Sequence, residues 1–206
     1  PEDPCWEDRD RLLVSAGHIS PGVYAALCEF GYVREEDMFL KFRQAGSSFA
    51  GHVECCVPGV EWNTGNLGQG LSSGTGMALA LKLKGKSGRV GVLMGDGEQQ
   101  KGQIAEARRF AVKYGLDNLF GIIDRNHLQI SGPTNTVMPH MIRADYVAAQ
   151  WNVLHVENGH DCDALFQALR RIMRQEVDDL GKPSVLVART IMGKGVSFME
   201  NQAKYH

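Results

Sequence analysis

An α/β fold, a mostly parallel sheet with helices on both faces, is the architecture this 206-residue sequence predicts, and three observations carry it. Short apolar runs bounded by glycines, such as residues 89–94, have the make-up of strands buried on both faces. Between them, apolar residues recur at helical spacing and stop at glycines. The resulting order of strand, helix, strand, helix, strand is that of parallel strands joined by crossover helices. With 43% apolar residues and no repeat, low-complexity tract or composition break, residues 1–206 read as one domain with a real core.

In chain order, Val23, Ala26, Leu27 and Phe30 form a helical stripe that stops at Gly31. Gly70–Leu83 carries Leu71, Met77, Ala78 and Leu81 with small residues between them, a tightly packed helix. The strand at 89–94 leads into a polar loop from Gly95 to Gly102. Ile104, Ala107, Ala111 and Val112 give the next helix, ended by Gly115, and Leu119–Ile123 returns as a second buried strand. Val153–Val156 reads as a strand and Val185–Ala188 as another. The helical stripe between them, Ala164, Leu165, Ala168, Leu169, Ile172 and Met173, is terminated by Gly181 and Pro183. Met77, Met94, Phe110, Phe120 and Trp151 fall on apolar patterns and belong to the core. The pairs Arg108-Arg109 and Arg170-Arg171 read as solvated or interface charges.

Twenty-two basic against 24 acidic residues, a net charge of −2, leave no basic stripe for nucleic acid or an anionic membrane. No apolar run approaches the ~18–20 residues that span a bilayer, and Pro1-Glu2-Asp3-Pro4 is no leader peptide. Five cysteines, Cys5, Cys28, Cys55, Cys56 and Cys162, are odd in number, lack a C-x-x-C pair and include a vicinal pair, which fits a reduced, cytoplasmic setting. The missing initiator Met and the ending at Tyr205-His206 point to flanking residues outside this sequence.

In open parallel sheets ligands sit beyond the carboxyl ends of the strands, which directs attention to the loops after Met94 and Ile123. The first reads Gly95-Asp96-Gly97-Glu98 and the second Asp124-Arg125-Asn126-His127. On neighbouring strands, Asp96 and Asn126 emerge on one rim as hard oxygen ligands suited to a small divalent cation. Gly95 and Gly97 let backbone N–H groups approach a diphosphate near the positive end of the following helix. Gly-Asp-Gly is equally an ordinary turn with Asp96 as a helix cap, and the loop alone does not separate the two readings. Other phosphate motifs fail, since Gln100 stands where a G-x-G-x-x-G needs its third glycine and Ala80 where a P-loop needs its first.

Gly95-Asp96-Gly97, 28 residues and then Asn126 match the thiamine-diphosphate-binding signature, and around it the chain resembles transketolase in its amino-terminal, diphosphate-binding domain. The resemblance runs through residues 6–11 (Trp-Glu-Asp-Arg-Asp-Arg), 15–18 (Ser-Ala-Gly-His), 51–54 (Gly-His-Val-Glu), 58–61 (Pro-Gly-Val-Glu), 64–71 (Thr-Gly-Asn-Leu-Gly-Gln-Gly-Leu) and 129–132 (Gln-Ile-Ser-Gly), covering essentially the whole chain. It implies a thiamine diphosphate cofactor with Mg2+ or Ca2+, the metal held by Asp96, Asn126 and the carbonyl of Leu128. It implies diphosphate contacts at Gly97, with Gly65 and Leu67 against the aminopyrimidine and Ile130 packed near the cofactor. His18, His52 and His206, the last following Gly193-Lys194-Gly195, match family histidines near the diphosphate and the reacting carbon. Histidines suit transfer of a two-carbon ketol unit, which moves protons on and off sugar hydroxyls near neutral pH. His127, His140, His155 and His160 read as structural.

Three departures bear on function. The family's upstream Ser-Gly-His segment would lie before Pro1, and its pyrimidine domain, which carries the glutamate that activates the cofactor, would follow His206. Where the family loop reads Gly-Asp-Gly-x-x-x-Glu-Gly, Lys101 takes the place of the glutamate. The resemblance therefore implies the amino-terminal subunit of a split transketolase of pentose phosphate metabolism. A carboxy-terminal subunit would complete each site in a two-plus-two heterotetramer that works on sugar phosphates. The alternatives are a piece of a full-length transketolase, a catalytically silent cofactor-binding or regulatory partner, or another thiamine-diphosphate enzyme such as a pyruvate-dependent synthase or a 2-oxoacid dehydrogenase component.

Overall fold

The structure, a computed structural model, describes residues 6–206, so the leader assessment at Pro1–Pro4 and Cys5 fall outside the described residues. Strand β1 (Arg11–Val14) is followed by α1 (Ser20–Glu29), α2 (Glu35–Lys41) and α3 (Gly70–Leu83), and β2 (Val90–Gly95) by α4 (Gly102–Lys113). After β3 (Leu119–Arg125) come a hairpin of β4 (Leu128–Gln129) and β5 (Gly132–Pro133), then α5 (Thr134–Val137) and α6 (Ile142–Ala148). The chain ends on β6 (Asn152–Val156), α7 (Cys162–Met173) and β7 (Ser184–Arg189), with a short 3-10 turn at Ala203–Tyr205.

Five strands form one all-parallel sheet in the order β1-β2-β3-β7-β6. The steps from β1 to β2 and from β2 to β3 run the same way, so right-handed crossovers place α3 and α4 on one face. The step from β6 back to β7 runs the other way and puts α7 on the opposite face. The cores follow. Leu71, Ala78 and Leu81 of α3 join Ile104, Ala107 and Ala111 of α4 over Val90, Val92 and Met94 of β2, with Ile142 and Tyr146 of α6 alongside. Ala168 and Ile172 of α7 pack on Leu186 and Val156 across the sheet. A third cluster, Tyr24, Leu27, Met38, Phe49, Val53 and Val57, closes α1 and α2 over the long 42–69 connection.

The glycine-rich α3 is a true helix because its glycines permit close packing: a Cβ on Gly74 would lie 2.5 Å from Val92 Cγ2 of β2. Helix α7 is capped by Asp161, whose side chain accepts the Ala164 N–H at 3.0 Å. It ends at Met173 rather than at Gly181 or Pro183, because Gln175 makes the left-handed turn (φ 56°) first. Met94 and Trp151 are buried as expected, but Phe110 is 37% exposed and packs at a tilt against Tyr114. Arg108 is not a solvated charge: its guanidinium lies 4.8 Å over the Tyr146 ring. Strand β1, helices α2, α5 and α6 and the hairpin were not legible as elements, each being short. Cys28, Cys55, Cys56 and Cys162 are free thiols, and no helix among the described residues is long and apolar enough to cross a membrane.

Candidate functional site

The carboxyl ends of β1, β2, β3 and β7 lie side by side, because Gly95 is in register with Asp124 and Asp124 with Ala188. They deliver residues 15–18, Asp96, Asn126 and Thr190 to one rim. Asp96 is 2% exposed, makes no helix-capping hydrogen bond, and instead accepts the His127 N–H at 2.7 Å, its own N–H going to the Asp124 carbonyl at 3.1 Å. Burial pushes its pKa up to about 6, Asp124 adds to the rise, and the His127 and Gly97 N–H groups and Arg125 oppose it. A buried carboxylate held away from its preferred charge state is short of a cation.

The loop after β3 supplies two further oxygens. The Asn126 amide oxygen accepts the Leu128 N–H at 2.9 Å, and His127 takes a left-handed conformation (φ 66°). Thr134 donates its N–H to the His127 carbonyl, which makes 127/134 a hydrogen-bonded pair of the β4–β5 hairpin and the next pair, Leu128 and Pro133, a non-bonded one. The Leu128 carbonyl therefore faces away from its hairpin partner. One carboxylate, one amide oxygen and one carbonyl form a hard set that could hold Mg2+ or Ca2+ while leaving positions for the oxygens of an anionic ligand. No cluster of three or more His, Cys, Asp or Glu suited to a metal occurs among the described residues, and the donor set at this rim contains only one such residue.

The 3-10 turn Gly97–Gln100 fixes this rim through three consecutive side chains. Glu98 reaches β1 and the 64–70 loop. Gln99 gives its amide N–H to the Gly95 carbonyl at 3.0 Å and accepts the buried Tyr146 hydroxyl at 3.0 Å. Gln100 bonds Gln129 of the hairpin. The Gly95 N–H is taken by Glu98 at 2.8 Å and is no free donor for a diphosphate, so any part Gly95 plays toward a ligand is indirect. A Cβ on Gly97 would meet Gln129 at 3.3 Å, so the bare backbone here faces the hairpin whose tip, Ile130, is 79% exposed.

Gly65 and Leu67 stand at the exposed tip of a loop whose ends are fastened. At one end Thr64 gives both its N–H and its hydroxyl to the Val53 carbonyl. At the other, buried Gly68 (φ 86°) donates its N–H to Glu98 at 2.7 Å and backs onto the aliphatic stem of Lys101.

The rings of His18 and His206 lie 5.4 Å apart, and His52 is close enough to act on His18 electrostatically. Loss of solvation, then the charges of His206 and His52, hold the His18 pKa below the ordinary histidine value, against the pull of Asp124. Loss of solvation likewise lowers His206, again opposed by Asp124. Both are neutral at physiological pH, with a lone pair available to accept a proton. Asp124, whose carboxylate accepts the Thr190 hydroxyl, is within electrostatic reach of both the histidines and Asp96. Its part was missed in the sequence, where it was visible only as an acid two positions before Asn126. Glu98 was missed too: an acid in a glycine-rich loop gives no sign that it is 2% exposed and triply bonded. The His160 ring accepts the Ile191 N–H, and His155 bridges the Val187 carbonyl and Glu157, both structural contacts.

Residues 1–206 match the family described as "Transketolase, thiamine diphosphate binding domain". The chain is 43% identical over its whole length to one of the subunits of the apulose-4-phosphate transketolase of Phocaeicola vulgatus, covering 72% of that protein. It is 36% identical to a 6-deoxy-6-sulfo-D-fructose transketolase subunit of a Clostridium species, covering 100% of this chain and 74% of that protein. Among solved structures, the transketolase of Campylobacter jejuni superposes with a TM-score of 0.91 at 33% identity, over 99% of this chain and 32% of that one. The chain thus spans about a third of the full-length transketolase it matches. The whole-length family match and the shared fold agree: the chain belongs to the transketolase family, in the part that forms its thiamine-diphosphate-binding domain.

Proposed function

We propose that this chain is the amino-terminal subunit of a two-part transketolase, which transfers a two-carbon ketol group from a ketose phosphate to an aldose phosphate once a carboxy-terminal subunit completes its site. The observation that carries the reading is the rim itself, where the strand ends bring Asp96 and Asn126 together and Asp124 acts electrostatically both on Asp96 and on the histidines His18 and His206. The relatives named as separate subunits, of which this chain covers 72% and 74%, support the division into two chains.

In this reading Asp96, Asn126 and Leu128 hold Mg2+ or Ca2+, Gly97 contacts the diphosphate, and Gly65 and Leu67 meet the aminopyrimidine. Ile130, on the hairpin that Gln100 ties to the metal loop, packs at the cofactor's side. Thiamine diphosphate supplies an electron sink at its thiazolium when bound. His18, His52 and His206 accept and return protons at the sugar hydroxyls, and the lowered pKa values of His18 and His206 favour that role near pH 7. The assembly is a heterotetramer of two subunits of each kind, in the cytoplasm. The two relatives act on apulose 4-phosphate and 6-deoxy-6-sulfo-D-fructose by name, so a specialised sugar is as fitting a substrate as those of pentose phosphate metabolism.

The test is to purify the chain with and without its co-encoded carboxy-terminal partner, then measure thiamine diphosphate binding and ketol transfer with Mg2+. Activity that appears only with the pair is expected, and full activity of the isolated chain overturns the two-part reading. Tight cofactor binding by the pair without turnover favours a regulatory partner instead, a reading to which the exposed Lys101 in the metal loop lends weight.

A further inference from the structure

Glu98 is 2% exposed, yet no basic side chain among the described residues pairs with it. Its carboxylate accepts three hydrogen bonds from three separate segments. Oε2 takes the Ser15 hydroxyl from the end of β1 and the Gly68 N–H at 2.7 Å, and Oε1 takes the Gly95 N–H at 2.8 Å. Ser15 also accepts the Gly70 N–H at 3.2 Å, so the N–H groups of Gly68 and Gly70, at the entry to α3, both end in this network. Its negative charge lies at the positive end of that 14-residue helix.

Each anchored residue adjoins one of the site's working parts. Gly95 precedes Asp96, Gly68 follows Leu67, and Ser15 lies three residues before His18. A buried carboxylate costs free energy that a well-packed apolar side chain avoids, so a position needed only for packing has no use for one. What a carboxylate provides here is two acceptor oxygens, able to hold three donors in fixed relation.

We propose that Glu98 is a positioning residue for the cofactor: through its three hydrogen bonds it presets the Gly65–Gly68 loop against the metal loop, so that thiamine diphosphate meets a formed site. The inference rests on the function proposed above. It does not involve a proton moving on Glu98. In E98Q one end of the side chain becomes an NH2 group, and in either orientation that group confronts the N–H of Gly68 or of Gly95, donor against donor. In S15A the Gly68 and Gly95 bonds remain, while Glu98 loses one donor and the Gly70 N–H loses its acceptor.

The experiment uses the full chain with its carboxy-terminal partner. It combines calorimetric titration with thiamine diphosphate at fixed Mg2+, the cofactor concentration for half activation, kcat at saturating cofactor, and amide hydrogen exchange over residues 65–70 without cofactor. For E98Q we expect at least a tenfold weaker cofactor affinity in both binding assays, faster exchange at Gly68, and kcat at saturation and donor-sugar KM within threefold of the parent. For S15A we expect a smaller weakening in the same direction. Unchanged cofactor affinity in E98Q, with only the melting temperature or kcat lowered, overturns the proposal. If E98Q does not fold, S15A decides by the same criterion. A parent pair that fails to bind thiamine diphosphate at all overturns the functional reading itself and the proposal with it, a result distinct from parent and variant binding equally well.

Discussion

The backbone N–H of His127 donates to the Asp96 carboxylate at 2.7 Å, joining the loop after β2 to the loop after β3 across the gap where the sheet's strands end. The two loops are thereby fixed relative to each other by protein alone. A metal ion placed there would add its ligands to a frame already closed.

Asp96→Asn keeps an oxygen for that N–H but removes the charge. Titration calorimetry with thiamine diphosphate and Mg2+ should show affinity falling by about 100-fold or more, the scale on which disturbing a metal's ligand set acts. The ligand-free variant should melt no lower than the parent. Parent-like affinity would take Asp96 out of the site.

The same residue sets a pH dependence. The folded-state value of about 6 lies above the ordinary aspartate value, so above pH 6 the buried charge is a cost, on the order of 3 kcal/mol, to the ligand-free protein. That cost disappears as pH falls through 6 towards 4 and the folded form takes up a proton. Thermal melts should show the contribution of Asp96 as greater stability near pH 5 than at pH 7, an effect absent from Asp96→Asn. The stabilisation gained on adding thiamine diphosphate and Mg2+ should grow as pH rises, since the metal displaces that proton.

His206→Asn should move the titration of its neighbour. His206 is second only to burial in lowering the His18 pKa, so its removal lets that pKa rise and shifts the acid limb of kcat/KM for the assembled enzyme to higher pH. His18→Asn should cost 10²- to 10⁴-fold in kcat/KM, the usual range for losing a general acid or base, with cofactor binding retained. An unmoved acid limb in His206→Asn would place the titrating group elsewhere.

Gly68→Ala meets two obstacles at once. Its φ of 86° is unfavourable for a side chain, and the new Cβ would lie 2.8 Å from Lys101 Cβ. Chemical denaturation should register a loss of about 2–4 kcal/mol from left-handed strain and overpacking together.

Lys101→Glu tests the reversed charge in the loop after β2. We expect slower ketol transfer by the assembled pair if, as we propose, Lys101 pairs with an acidic residue of a partner subunit. A large gain in rate would instead identify Lys101 as an impairment of the site.

Much of this was legible in the sequence because strand and helix periods were unambiguous where burial was greatest. β2, with Val90, Val92 and Met94 fully buried, announced itself by its apolar run, and α3 was foreseen from Gly70 to Leu83 as found. β1 escaped because four residues with an exposed Leu12 make too short a pattern, and α6 because seven residues show less than two turns of periodicity. At the site, residue types at fixed spacing pointed to Asp96 and Asn126. Bonds made between distant segments did not show in spacing: Asp124 with Thr190 spans 66 positions and Glu98 with Ser15 spans 83. The free N–H expected at Gly95 was lost to the second of these networks.

The loop between α7 and β7, residues 174–183, enters the sheet at the amino end of β7, on the rim opposite Asp96. Most of it is exposed, with Leu180 at 72%. Ten residues of chain are thus separated from the chemistry by the full length of a strand, which makes this the place to graft a tag, a fluorophore or a tether to a surface while the opposite rim stays unencumbered.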